Sequence, residues 1–132
     1  MSAAIYLVTE KEVVGLPIFD GKRLSLALDD LDFLAQKLDL ELPSSFLHVT
    51  KEELEDVIAS AGVDMMDLMI PETEWFDAEN LLETVFALRV HLERHPEAML
   101  HSASVLPDLR ALELALELCE AKEISVRLTI DI

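Results

Sequence analysis

Three histidines fall within eleven residues, and two of them, in His91-Leu92-Glu93-Arg94-His95, are spaced i and i+4. On a helix that spacing puts both imidazoles on one face, as in a pair of zinc ligands, and His101 beyond Pro96 offers a third nitrogen. The likeness to a zinc protease stops there. That chemistry needs a glutamate directly after the first histidine, where it acts on metal-bound water, but position 92 is leucine and Glu93 points about a third of a turn away. The other role for His91 and His95 is at the C-terminal end of a helix, where an imidazolium complements the dipole.

A second group lies in Pro71-Glu72-Thr73-Glu74-Trp75-Phe76-Asp77-Ala78-Glu79, which holds the only tryptophan and four carboxylates. Glu72, Glu74, Trp75 and Asp77 read as an aromatic anchor rimmed by charge, a pattern that suits partner binding. The same residues also read as the entry to a helix. Asp77 would cap its first turn, Phe76 would staple onto Leu81, and Trp75 would fill the core beside them. General acid or base work by Glu72 or Glu74 would need a burial that so acidic a loop does not suggest.

Little else in the chain can do chemistry. Met65, Met66 and Met69 form a cluster that suits either core filling or adaptable binding. Cys119 is the single cysteine and lies on an apolar helical stripe, where a thiol behaves as a small inert hydrophobe. Glycine-rich phosphate loops, a nucleophile elbow, a Cys-x-x-Cys pair and an EF-hand loop do not occur, and three glycines leave little means of building a phosphate cradle. No cofactor is expected.

The elements that would position these residues follow from periodicity. Residues 3–9 form a continuous apolar run rich in strand formers, expected to be a strand covered on both faces. In residues 124–132, Ile124, Val126, Leu128, Ile130 and Ile132 alternate with Ser125, Arg127, Thr129 and Asp131, which predicts a strand with one buried and one wet face. Between them the period is helical. One helix should begin after Asp20-Gly21, with Leu24, Leu28, Leu31, Ala35 and Leu38 inward. A second should follow the capping box Thr50-Lys51-Glu52-Glu53 and close at Gly62. The third should run from the Asp77 cap to about His95, stopped by Pro96, and the fourth from about Ser104 to Lys122, with Glu113, Glu117 and Glu120 as its narrow polar stripe. Phe46–Thr50 or Val13–Phe19 could add a strand. The expected fold is α+β: a single domain over residues 1–132, with a small sheet containing both terminal strands and about four helices packed mainly on one face.

Composition bounds the function. The 132 residues hold 27 Asp plus Glu against 10 Lys plus Arg, for a net charge of −17, yet 52% are apolar. Such a chain folds a core and wears an acidic coat, which attracts basic partners and repels anionic membrane and nucleic acid. The cations are scattered among acids, so no nucleic-acid site is expected. The N-terminal apolar run ends by Glu10, too short for a signal peptide or a membrane span, and one cysteine forms no internal disulfide; the expectation is a cytoplasmic protein.

Glu74-Trp75-Phe76-Asp77 with Leu81, Leu82, Val85, Leu88 and His91-Leu92, then Asp108-Leu109-Arg110-Ala111-Leu112-Glu113 and Ile130-Asp131-Ile132, resembles a group of small bacterial proteins of unknown function. The resemblance implies a bacterial, single-domain protein and carries over no catalytic residue. Two functional readings follow. In the first the chain is a non-catalytic interaction or regulatory protein that binds a basic partner, as an immunity protein binds a basic toxin or enzyme. In the second it binds a small ligand or metal through His91, His95 and His101. Self-association as a homodimer is also expected, through whichever face of residues 3–9 the helices leave uncovered, unless the helix from Asp77 covers it.

Overall fold

The computed structural model describes residues 3–17, 19–48 and 74–131. Within them two strands, β1 (Ala4–Thr9) and β2 (Val126–Asp131), pair antiparallel, with Ile5 opposite Ile130, Leu7 opposite Leu128 and Thr9 opposite Val126. Three α-helices lie between them in sequence: α1 (Lys22–Lys37), α2 (Ala78–Arg94) and α3 (Ser102–Ala121). The architecture is α+β, with the N- and C-terminal strands side by side. The helix expected after Thr50 and the methionine cluster lie outside the described residues.

The core forms where the period-2 stripe of the sheet meets the period-3.6 stripes of the helices. Ile5, Val126 and Leu128 on one sheet face join Leu24 and Leu31 of α1, Leu81, Val85 and Leu88 of α2, and Leu109, Leu112 and Leu116 of α3 in one cluster. Cys119 sits in it too, fully buried, and burial pushes its thiol pKa up. The thiolate is therefore disfavoured, as an inert core residue requires. At the centre is a void of about 10 Å³ lined by apolar groups alone, including Ile5, Leu31, Leu88 and Leu112. A void of that size holds at most one water, and its walls offer that water no polar partner.

The other sheet face departs from expectation. Arg127 and Thr129 were expected in solvent, but they are only 5% and 8% exposed. On β1, Ala4 is buried, Val8 is half-buried and Tyr6 is 38% exposed. The far edge of β2 is occupied as well: Leu47 bridges to Leu128 and Phe76 to Val126, with the His48 amide donating to the Leu128 carbonyl at 2.9 Å. Of the strand expected over Phe46–Thr50, the described residues show the end of a 3₁₀ turn over Pro43–Phe46 and one bridging residue, Leu47, while Val49 and Thr50 lie outside the described residues; among the described residues Val13–Phe19 holds no strand. Of that outer face, Ala4, Arg127 and Thr129 are buried within one chain, whereas Tyr6 stays exposed.

Two backbone sites fix how α1 meets the sheet. Gly21 precedes α1 in the left-handed region, φ 75°, and a Cβ there would stand 2.1 Å from the Ile5 carbonyl oxygen. Only glycine allows that approach, which lets the Ile5 amide donate to the Gly21 carbonyl at 3.0 Å. Gly21 has no side chain to cap the helix, and the Asp108 carboxylate of α3 fills that place by accepting from the Leu24 amide at 3.1 Å.

Candidate partner-binding site

Asp77 holds the N-cap position of α2 with extended backbone, but its side chain makes no capping hydrogen bond, which corrects the expected cap. Its carboxylate instead lines a groove of about 400 Å³ between the start of α2 and the end of α3, with Glu79, Glu120, Glu123, Ile124 and Ser125. All four carboxyl side chains belong to exposed residues, and among the described residues none of them is in an ion pair. The antiparallel packing of α2 on α3 explains the convergence, because it brings the acidic first turn of one helix beside the acidic last turn of the other. Glu79 suits the positive N-terminal dipole of α2, whereas Glu120 and Glu123 at the end of α3 oppose theirs.

Just ahead of Asp77 the chain divides its two aromatics. Phe76 turns inward, half-buried, edge-on to Phe46 with centroids 5.3 Å apart. Trp75 was expected in the core beside it. It lies instead on the outer sheet face, 37% exposed, with the Arg127 guanidinium 5.4 Å from its ring centroid. Arg127 also donates to the His48 carbonyl at 2.7 Å, so one cation from β2 pins two separate segments to that face. Glu74 is exposed, and Glu72 lies outside the described residues. Of the candidate binding residues, Glu74, Trp75 and Asp77 are exposed, Asp77 lining the groove and Trp75 stacked with Arg127 on the sheet face.

The histidines are arranged differently. His91 and His95 stand with ring centroids 4.9 Å apart at the end of α2, and His95 Nδ1 is 3.5 Å from a Glu97 carboxylate oxygen. His101 is the residue before α3, in the left-handed region at φ 61°. It lines a separate groove with Arg23, Leu26, Asp30 and Leu100. Among the described residues no three of His, Cys, Asp and Glu come together in a way that could hold a metal ion. The i, i+4 pair forms as expected, and the third ligand does not join it.

Sequence reasoning missed an ion-pair network on the seam of α2 and α3. Arg89 grips Glu113 with two nitrogens, one of them Nη2 to Oε1 at 2.9 Å, and also reaches Glu93 at 3.2 Å, which in turn accepts from Arg110. Hydrogen bonding to Arg110 is the main influence holding the Glu93 carboxyl below the usual range, and hydrogen bonding to Glu113 holds the Arg89 guanidinium above its own. Glu113 was expected on a wet stripe with Glu117 and Glu120, yet it is 8% exposed. The bidentate fork of arginine is what makes that burial tolerable.

No helix among the described residues is long and apolar enough to cross a membrane. Comparison with protein-family models, with curated proteins and with solved structures finds no match to the chain.

Proposed function

We propose that the protein is a non-catalytic interaction protein, regulatory or immunity-like, that receives a basic segment of a partner in the groove of Asp77, Glu79, Glu120 and Glu123, with the exposed Glu74 and Trp75 just before Asp77 in the chain. The observation that carries this reading is the convergence on one groove of four exposed carboxylates, none of them in an ion pair among the described residues. Each exposed charge pair contributes only about 0–1 kcal/mol, so binding rests on several pairs acting together and on steering of the encounter by the −17 field.

The test separates this groove from mere net charge. Glu79→Lys/Glu120→Lys in the groove is compared with Glu12→Lys/Glu97→Lys, which changes net charge equally at exposed positions elsewhere. With a Lys- and Arg-rich amphipathic peptide as probe, the groove variant should lose affinity about ten-fold or more, mostly through slower association, while the control stays close to the native protein. Equal losses in both variants would refute the groove.

A further inference from the structure

The outer side of α1 carries a pattern the acidic groove does not use. Leu26 and Phe33, two turns apart on the side opposite the buried Leu24 and Leu31, are 75% and 60% exposed, and Leu100, also 75% exposed, adjoins Leu26 across a shallow groove. In a chain of net charge −17, α1 is neutral: Lys22, Arg23 and Lys37 balance Asp29, Asp30 and Asp32. Asp32 is engaged inside the chain, accepting from the Ser44 amide at 3.1 Å.

We propose that α1 is the contact of a homodimer in which two copies pack their α1 helices antiparallel, with Phe33 on the two-fold axis. The order of charges fits that occupant. Asp29 lies four residues before Phe33 and Lys37 four residues after it, and Lys37 Nζ already sits 4.5 Å from the Phe33 ring centroid. A two-fold axis through Phe33 therefore sets each Lys37 against the partner's Asp29, twice over. Antiparallel packing also brings the basic first turn, Lys22 and Arg23, toward the segment after the partner's α1, where Asp39 and Glu41 are exposed. Lysine and arginine at a helix N-terminus are unfavourable within one chain, and a partner's carboxylates there offset that. The overall repulsion of two acidic bodies is weak at such a contact, since charges beyond about 8 Å are screened at physiological ionic strength and those within reach are matched. An independent basic helix is the poorer occupant, because the exposed side of α1 presents as many cations as anions.

Sedimentation equilibrium of the full chain tests this. The native protein should show twice the 14.8 kDa chain mass, and Phe33→Asp should return it to one chain. Asp29→Lys and Lys37→Asp should each weaken the dimer about ten-fold or more, whereas Asp29→Lys/Lys37→Asp together should restore it to within about three-fold, a rescue that no general loss of folding can imitate. Tyr6→Asp, on the sheet, should leave the mass unchanged. A monomer at every concentration, a dimer that survives Phe33→Asp, a dimer lost in Tyr6→Asp, or single and double charge variants that behave alike would each overturn the proposal. None of these substitutions touches the acidic groove, so its basic-peptide binding can fail or persist separately.

Discussion

Two buried carboxylates, on the same helix, show how local surroundings decide what an acid does. Asp108 is buried against the start of α1, and desolvation raises its pKa despite the hydrogen bonds it accepts from the Leu24 and Gly21 amides. A carboxyl whose folded pKa exceeds its unfolded one binds protons more tightly in the folded state, so its contribution to stability falls as pH rises through that window. The stability of the native protein relative to Asp108→Asn should therefore improve as pH is lowered from 7 toward the ordinary carboxylate range, measured by urea unfolding at several pH values. A difference that moved the other way would show that the hydrogen bonds outweigh desolvation. Glu113 differs because a cation holds it. Glu113→Ala should destabilise by about 1–3 kcal/mol, since it leaves the Arg89 fork without its main partner, and Glu113→Gln by less. A loss within about 0.5 kcal/mol for the alanine variant would mean that Glu93 takes over. Neither role was legible in sequence, where Asp108 and Glu113 look like any surface acid on a helix. Their partners lie 84 and 24 residues away.

At the level of elements, strict periodicity was legible and edges were not. The alternation from Ile124 correctly marked β2, and the leucine stripes marked α1, α2 and α3 to within a few residues. Alternation says which residues share a face, however, and nothing about what covers the second face. Arg127 and Trp75 were misplaced for that reason: a guanidinium stacked on an indole and bonded to the His48 carbonyl makes a covered face from residues that look wet. The Asp77 cap failed for a related reason. Asp, Asn, Ser and Thr are favoured before helices, but the preference does not force the side chain to turn back onto the amides. The junction of β1 and α1 gives a sharp test. Gly21→Ala would drive a Cβ into the Ile5 carbonyl in addition to straining a positive φ, and should destabilise by roughly 3 kcal/mol or more, whereas Gly15→Ala, at φ 86° with open space around it, should lose only about 1 kcal/mol. Comparable losses, followed by thermal or urea unfolding, would mean that β1 and α1 are not locked at Gly21.

For the whole molecule, the acidic coat and apolar core announced by composition stand side by side with a more specific feature, the uneven distribution of the coat. Carboxylates converge where α2 begins and α3 ends, while α1 is neutral and shows leucine and phenylalanine to solvent. The charge total is visible in sequence; the convergence requires the antiparallel packing of α2 and α3, which brings positions 77–79 and 120–123 together. Trp75, the only tryptophan, lies two residues before Asp77, which lines this groove. The most direct measurement is the fluorescence of Trp75 during titration with a Lys- and Arg-rich amphipathic peptide at several salt concentrations. Saturable binding that changes the Trp75 signal and weakens steadily as salt rises is the expected result, with the change lost in Glu79→Lys/Glu120→Lys. Absence of binding at low salt, or binding that leaves Trp75 unchanged and is indifferent to those two substitutions, would contradict the account.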